Sequence, residues 1–359
     1  MKHSAIYQTA AKVRQGERLM PDEAITLWKE AETTLLEELA TLKRGEINGD
    51  LLYYNCNFHI EPTNICIFGC RFCSYHRDPS SSEAWNYSLD EMEALARSYI
   101  GKPVTEVHIV GGVHPSHTLD YYIEIVRRIK LILPDITVKA FSAIELAHII
   151  NRAGLDIKEG LARLKEAGLE AIPGGGAEIF DSEIRKRICP EKGDAEVWLS
   201  LHHAAHEAAI PTNATMLYGH IESIEHRVDH LVRIRELQDD TKGFSAFIPL
   251  KFRSASNSMS FLGEVGIEED MRTVAMSRIL LDNIPHIKAY WPMYGKQAAE
   301  TALRFGADDI DGTIENTTKV YSMAGSEEQN PSLSVNEIRQ MAARAGLRAV
   351  ERDTFYKCL

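Results

Sequence analysis

Cysteine is scarce, six residues in a chain of 359, too few for the disulfide framework of a small secreted domain. Long apolar runs are missing too. No stretch approaches the roughly 20 residues that a membrane-spanning helix needs. The opening "MKHSAIYQTAAKVRQGERLM" lacks the apolar core of a signal peptide, so a cytoplasmic protein with reduced thiols is expected. Positive charge is in deficit, 40 Lys and Arg against 52 Asp and Glu, for a net charge of -12. A groove that follows nucleic acid needs clustered cations. Neither a nucleic-acid nor a membrane partner is therefore expected. A small anionic substrate, which needs only a local basic pocket, stays open.

What is present fits a soluble globular protein, 44% hydrophobic and 26% charged. Strand-like apolar runs alternate with Gly/Pro/Asn/Ser loops and helix-period segments. The runs are "LLYYNCNFHI", "VTEVHIVG", "ITVKAFSA", "LEAIPG", "IPTNATML", "GFSAFIPL", "HIKAYW" and "ADDIDG". In "SLDEMEALARSYI" the positions Leu89, Met92, Leu95, Ala96 and Tyr99 recur at helical spacing, and Ser88 with Glu91 makes a capping box. "HRVDHLVRIREL" repeats the pattern. Eight such units predict an α/β fold, a (βα)8 TIM-type barrel over residues 51–359 with a C-terminal tail. Residues 1–50 read as helices packed outside it. A doubly wound open sheet is the competing architecture, but no dinucleotide fingerprint follows the first strand. In a barrel the loops after the strands share one face, and the unusual residues lie in those loops.

The most unusual loop is "HIEPTNICIFGCRFCSYHRD", residues 59–78, with Cys66, Cys70 and Cys73 spaced Cys-x3-Cys-x2-Cys. Thiolates so spaced bind soft metals, zinc or an iron–sulfur cluster. A structural zinc site normally has four ligands, and no second pair exists: Cys56, Cys189 and Cys358 stand alone. Three thiolates on a [4Fe–4S] cube leave one iron open to an outside molecule. The helical pair His202 and His206 lacks the Glu–His arrangement of the zinc proteases and reads as packing.

The cysteine loop resembles the signature of the radical S-adenosylmethionine (SAM) enzymes, Cys-x3-Cys-x-aromatic-Cys, with Phe72 as the aromatic residue. The resemblance implies a [4Fe–4S] cluster on Cys66, Cys70 and Cys73, whose open iron chelates SAM. One electron from the cluster then cleaves the sulfonium to a 5′-deoxyadenosyl radical. It also implies SAM contacts from Gly111 and Gly112 in "IVGGVHP", and from Ser142 or Glu145 in "FSAIE". Glu178 beside the glycines of "PGGGAEIF", Arg185 in the next helix and Asn213 in "TNATMLYGHIE" complete that set.

Longer strings, among them "EVHIVGGVHP", "NATMLYGHIE", "FIPLKFR" and "YSMAGSEEQNP", resemble the aminofutalosine synthases of menaquinone biosynthesis from Asn57 to near Asp353. Ser74, Tyr75, His76 and Arg77 stand where relatives commonly carry Ala-Phe-Tyr-Arg or Ala-Phe-Arg-Arg. The resemblance implies a transferase that adds the adenosyl group of SAM, consumed as a co-substrate, to the alkene of 3-[(1-carboxyvinyl)oxy]benzoate. Aryl migration and loss of a carboxylate would give 6-amino-6-deoxyfutalosine, with flavodoxin or ferredoxin as the electron donor. Such a dianion demands dedicated cations, for which Lys251, Arg253 and Arg77 are the candidates. His220 and Thr313 join them on the substrate side. Two alternatives stay open: a cyclic dehypoxanthinyl futalosine or F0-type synthase, and a non-catalytic iron–sulfur or zinc protein.

Overall fold

The apolar runs become strands because they are covered on both faces, as strands of parallel sheets are. All seven residues of one run, Thr212–Tyr218, are buried. The computed structural model describes residues 2–359. Its strands are β1 (Leu51–Asn55), β2 (Asn57–Ile60), β3 (Glu106–Ile109), β4 (Thr137–Ala140), β5 (Thr212–Tyr218), β6 (Phe244–Lys251), β7 (His286–Ile287), β8 (Asp309–Gly312) and β9 (Arg348–Glu351). They form three sheets in the orders β8-β1-β9, β2-β3-β4 and β5-β6-β7, and every strand pairing within them is parallel.

Single parallel bridges connect the sheets: Lys139 with Ala171, Ile172 with Thr212, and Lys288 with Asp309. β1 and β2 are one run broken at Cys56. The fourth run, "LEAIPG", contributes only its two bridges. Pro173 has no N–H for a ladder, and three glycines follow it. β9 lies in the expected tail and pairs with β1.

Helices fill the connections. The predicted capping box is made, with Glu91 N donating to Ser88 Oγ at 3.2 Å and Ser88 N donating to Glu91 Oε2 at 2.8 Å. Before β1 stand the helices Lys2–Arg14, Pro21–Glu30 and Thr33–Asn48. The last of these packs on helix Ile267–Leu280 through the buried Leu36, Leu39 and Ala40. Among the described residues no helix is long and apolar enough to cross a membrane.

Buried charges in and beside the strands come in matched pairs. Arg278, fully buried, donates to Asp308, which also takes hydrogen bonds from His286 Nδ1 at 2.6 Å and Ile287 N at 2.8 Å. Lys288 bonds Asp311 at 2.7 Å, and Arg352 bonds Asp309 at 2.8 Å. Removing one member leaves a desolvated charge without its partner. Asp308→Ala should therefore cost about 3–5 kcal/mol, read as a fall in the urea midpoint at unchanged slope.

Candidate active site

The chain after β2 is fastened before it reaches its first cysteine. Asn64 spends its whole amide on the segment ahead, donating to Glu83 O at 2.9 Å and accepting from Trp85 N at 2.8 Å. Gly112 N donates to Thr63 O at 2.7 Å, Ile67 N to Val113 O at 2.9 Å, and Arg71 N to Ile188 O at 2.8 Å. The loop thus lies against the segment following β3. The two glycines there permit that closeness. A Cβ on Gly111 would sit 2.8 Å from Thr63 O, and one on Gly112 would sit 2.3 Å from Ile65 O.

Cys66, Cys70 and Cys73 line one small cavity of about 110 Å³ with Phe68, Phe72 and Gly112. Burial pushes the Cys66 thiol up and that of Cys70 up to about 12, so neither ionises readily unless a cation takes the proton's place. Phe68 N and His76 N point at Cys66 Sγ and Cys73 Sγ at 3.4 Å each, which favours thiolates once formed. A soft, cationic metal cluster fits this donor set. Cys56 is buried and outside it, its thiol pushed up to about 12 by burial.

A larger cavity of about 320 Å³ adjoins the first. Phe72, Cys73, Tyr75, Gly111, Glu145 and Lys192 line both. Ser142 and Glu145 also border both, locked to each other as a capping box, with Ser142 N donating to Glu145 Oε2 at 2.7 Å. Burial raises the Glu145 carboxyl to about 7. Gly174, Gly175, Gly176, Glu178 and Asn213 form one wall, and Lys251 and Arg253 another.

The structure therefore brings together most of the residues singled out from sequence, and sets four apart. Arg185 is buried, and its guanidinium donates to Ala177 O at 2.6 Å, Ile179 O at 3.3 Å and Gly193 O at 2.9 Å. It fixes the loop behind the glycines. Arg77 pairs with Glu83 at 2.7 Å and caps Ser74 O at 2.8 Å. His220 holds its own turn, through Leu217 O at 3.1 Å and Ile221 N at 2.7 Å. Thr313 Oγ1 accepts from Asn57 N at 3.2 Å, tying β8 to β2. None of the four lines either cavity; their polar groups are spent on the fold. His202 and His206 both reach Thr212 Oγ1 at 2.8 Å, as a packing pair does.

Sequence reasoning passed over His108, Lys139, Tyr290 and Asp311, all of which line the larger cavity, and left His59 there without a role. The available signal was a polar residue next to last in its strand and flanked by two apolar ones, as His59, His108 and Lys139 are.

Comparisons with known proteins show the family of the chain. The family described as "Radical SAM superfamily" matches residues 60–234, and "CofH/MqnC C-terminal region" matches residues 241–359. A curated relative from Thermus thermophilus, called aminodeoxyfutalosine synthase, is 40% identical over 97% of this chain and 94% of its own. One of the same name from Streptomyces coelicolor is 39% identical over 97% and 92%. A 5-amino-6-(D-ribitylamino)uracil–L-tyrosine 4-hydroxyphenyl transferase from Methanocaldococcus jannaschii is 38% identical over 97% and 99%. Among solved structures, methylornithine synthase (PylB) superposes with a TM-score of 0.74 at 15% identity, over 95% of this chain and 97% of that one. That likeness shows the fold.

Proposed function

The chain belongs to the radical SAM superfamily, in the branch that ends in a CofH/MqnC C-terminal region, and from that premise we propose that it acts as an aminodeoxyfutalosine synthase. In this reading Cys66, Cys70 and Cys73 hold a [4Fe–4S] cluster. When bound, the cluster supplies the electron that cleaves SAM to its 5′-deoxyadenosyl radical. The reaction joins the adenosyl group to 3-[(1-carboxyvinyl)oxy]benzoate, with aryl migration and loss of a carboxylate, giving 6-amino-6-deoxyfutalosine and methionine. A flavodoxin or ferredoxin acts as reductant in the cytoplasm.

The observation that supports it best is the shared wall. The thiol-lined cavity and the larger one meet at Phe72, Cys73, Gly111 and Glu145, so a molecule held at the cluster extends directly into the second space. Gly111, Ser142, Glu145, Glu178 and Asn213 border SAM there, Gly112 seats the cysteine loop behind it, and Lys251 and Arg253 face the substrate. The enclosure excludes water from a reactive radical. No group acts as a general base. The architecture belongs to the same proposal. The bridges Lys139–Ala171, Ile172–Thr212 and Lys288–Asp309, with the β8–β1 pairing, support closure of residues 51–359 into a (βα)8 barrel, with residues 1–50 outside it.

Anaerobic reconstitution, reduction with dithionite and mass analysis of the products test it. With SAM and the aryl enol ether, the adenosyl group should appear in the nucleoside product, one methionine per turnover. Free 5′-deoxyadenosine with a cyclised nucleoside would point to the sister synthase. Product formed only from L-tyrosine and 5-amino-6-(D-ribitylamino)uracil would point to the activity named for the Methanocaldococcus relative.

A further inference from the structure

Each lysine and arginine that lines the larger cavity already has an anionic partner. Lys139 holds Glu106 at 2.7 Å, Lys192 holds Glu178 at 2.5 Å, Lys251 holds Asp270 at 2.8 Å, and Arg253 meets Glu264 at 3.2 Å. A dicarboxylate entering this space finds its cations neutralised. What it needs are uncommitted donors. Among the described residues bordering the cavity, the buried side-chain nitrogens without a hydrogen-bond partner are both ring nitrogens of His59 and Nε of Arg253.

His59 is only 3% exposed. Leaving a buried imidazole unpaired is costly unless a bound molecule completes it. The ring is also held in place. His59 pairs in register with His108, and His108 with Lys139, so the pleat turns all three the same way. The two imidazoles stack at 4.7 Å with planes 8° apart, and His59 N donates to Thr317 Oγ1 at 2.7 Å. Burial lowers the pKa of both rings, that of His59 to about 4. A neutral imidazole is thereby fixed, with one N–H and one lone pair to offer. Sequence could not show this, because the orphaned nitrogens exist only once the strands are side by side.

We propose that His59 positions the substrate, donating a ring N–H to one of its two carboxylates while Arg253 Nε–H takes the other. The inference rests on the dicarboxylate reading above. It is tested by equilibrium binding of 3-[(1-carboxyvinyl)oxy]benzoate to the SAM-loaded, unreduced holoenzyme, which requires no turnover. His59→Phe should weaken binding about tenfold to a hundredfold, the range for a hydrogen bond to a charged group. His59→Asn, which keeps an N–H donor, should recover part of the loss. Cluster absorbance at the wild-type level in both variants would show that the fold is intact. The two monomethyl esters of the substrate give a sharper readout. Both should bind the wild type more weakly, but one of them should lose nothing further in His59→Phe. Wild-type affinity in His59→Phe, or two esters that cost as much there as in the wild type, would overturn the assignment. A wild-type enzyme that binds the aryl enol ether yet makes no adenosylated product would sink the reaction proposed and leave the anchor standing.

Discussion

Cys70→Ala protein should emerge from anaerobic reconstitution colourless, and its cleavage of SAM should fall to background. Iron should drop well below the roughly four atoms per chain of an intact cube. The side chain lines a space of about 110 Å³ with the other two thiols. Its thiol, pushed up to about 12 by burial, is a poor nucleophile on its own. Metal binding is the role that environment favours. Cys358 and Cys56 provide the controls. Cys358 is exposed, in a bridge with Arg352. Cys56 is buried between β1 and β2, outside the small cavity. Alanine at 358 and serine at 56 should leave iron content and SAM cleavage where they were. If Cys70→Ala and Cys358→Ala matched in colour and cleavage, the ligand set would be wrong, and the radical chemistry would fall with it.

How far the sequence carried the reading depends on the range of the interactions involved. Local signals came through. The capping box at Ser88, the helix within "HRVDHLVRIREL" and the crowding of three cysteines into eight residues depend on neighbours a few positions apart. Seven of the eight apolar runs hold regular strands for the same reason: a short apolar run bounded by turn residues is read without knowing a distant partner. The eighth, before Pro173, was apolar enough but cannot sustain a ladder. Charge pairing was not legible. Lys251 looks like a free cation until Asp270, 19 residues on, closes against it at 2.8 Å. Arg185 looks like a ligand for a carboxylate until three main-chain carbonyls claim it. A titratable residue's role follows from what the fold places beside it, and spacing along the chain does not encode that. Nor does it encode a lack of partners, which is what distinguishes His59.

The second large effect concerns a single methyl group. Gly112→Ala should fold, but with much less cluster than the wild type and SAM cleavage reduced about a hundredfold, the penalty expected when a reacting group is displaced by about 1 Å. The added Cβ would lie 2.3 Å from Ile65 O, 2.8 Å from Ile65 C and 3.1 Å from Cys66 Cβ. Comfortable contact begins near 3.5 Å, so one segment must yield. Rotamer changes cannot relieve the clash, because two of the three atoms are main chain. Both flanks are also tied, Gly112 N to Thr63 O at 2.7 Å and Ile67 N to Val113 O at 2.9 Å. The strain therefore lands on the residue that carries the first ligand. Overpacking of this size costs about 1–3 kcal/mol, enough to misplace the loop without unfolding the chain. Gly45→Ala, whose new methyl would meet nothing within 4 Å, serves as the control and should keep full iron and full cleavage. Iron per chain and the rate of SAM cleavage, measured on both variants, separate two roles for the glycine. Normal iron with weak SAM binding in Gly112→Ala would mean that this glycine makes room for the ligand. Lost iron means that it makes room for the loop that holds the metal, as the 2.3 Å approach to Ile65 O requires.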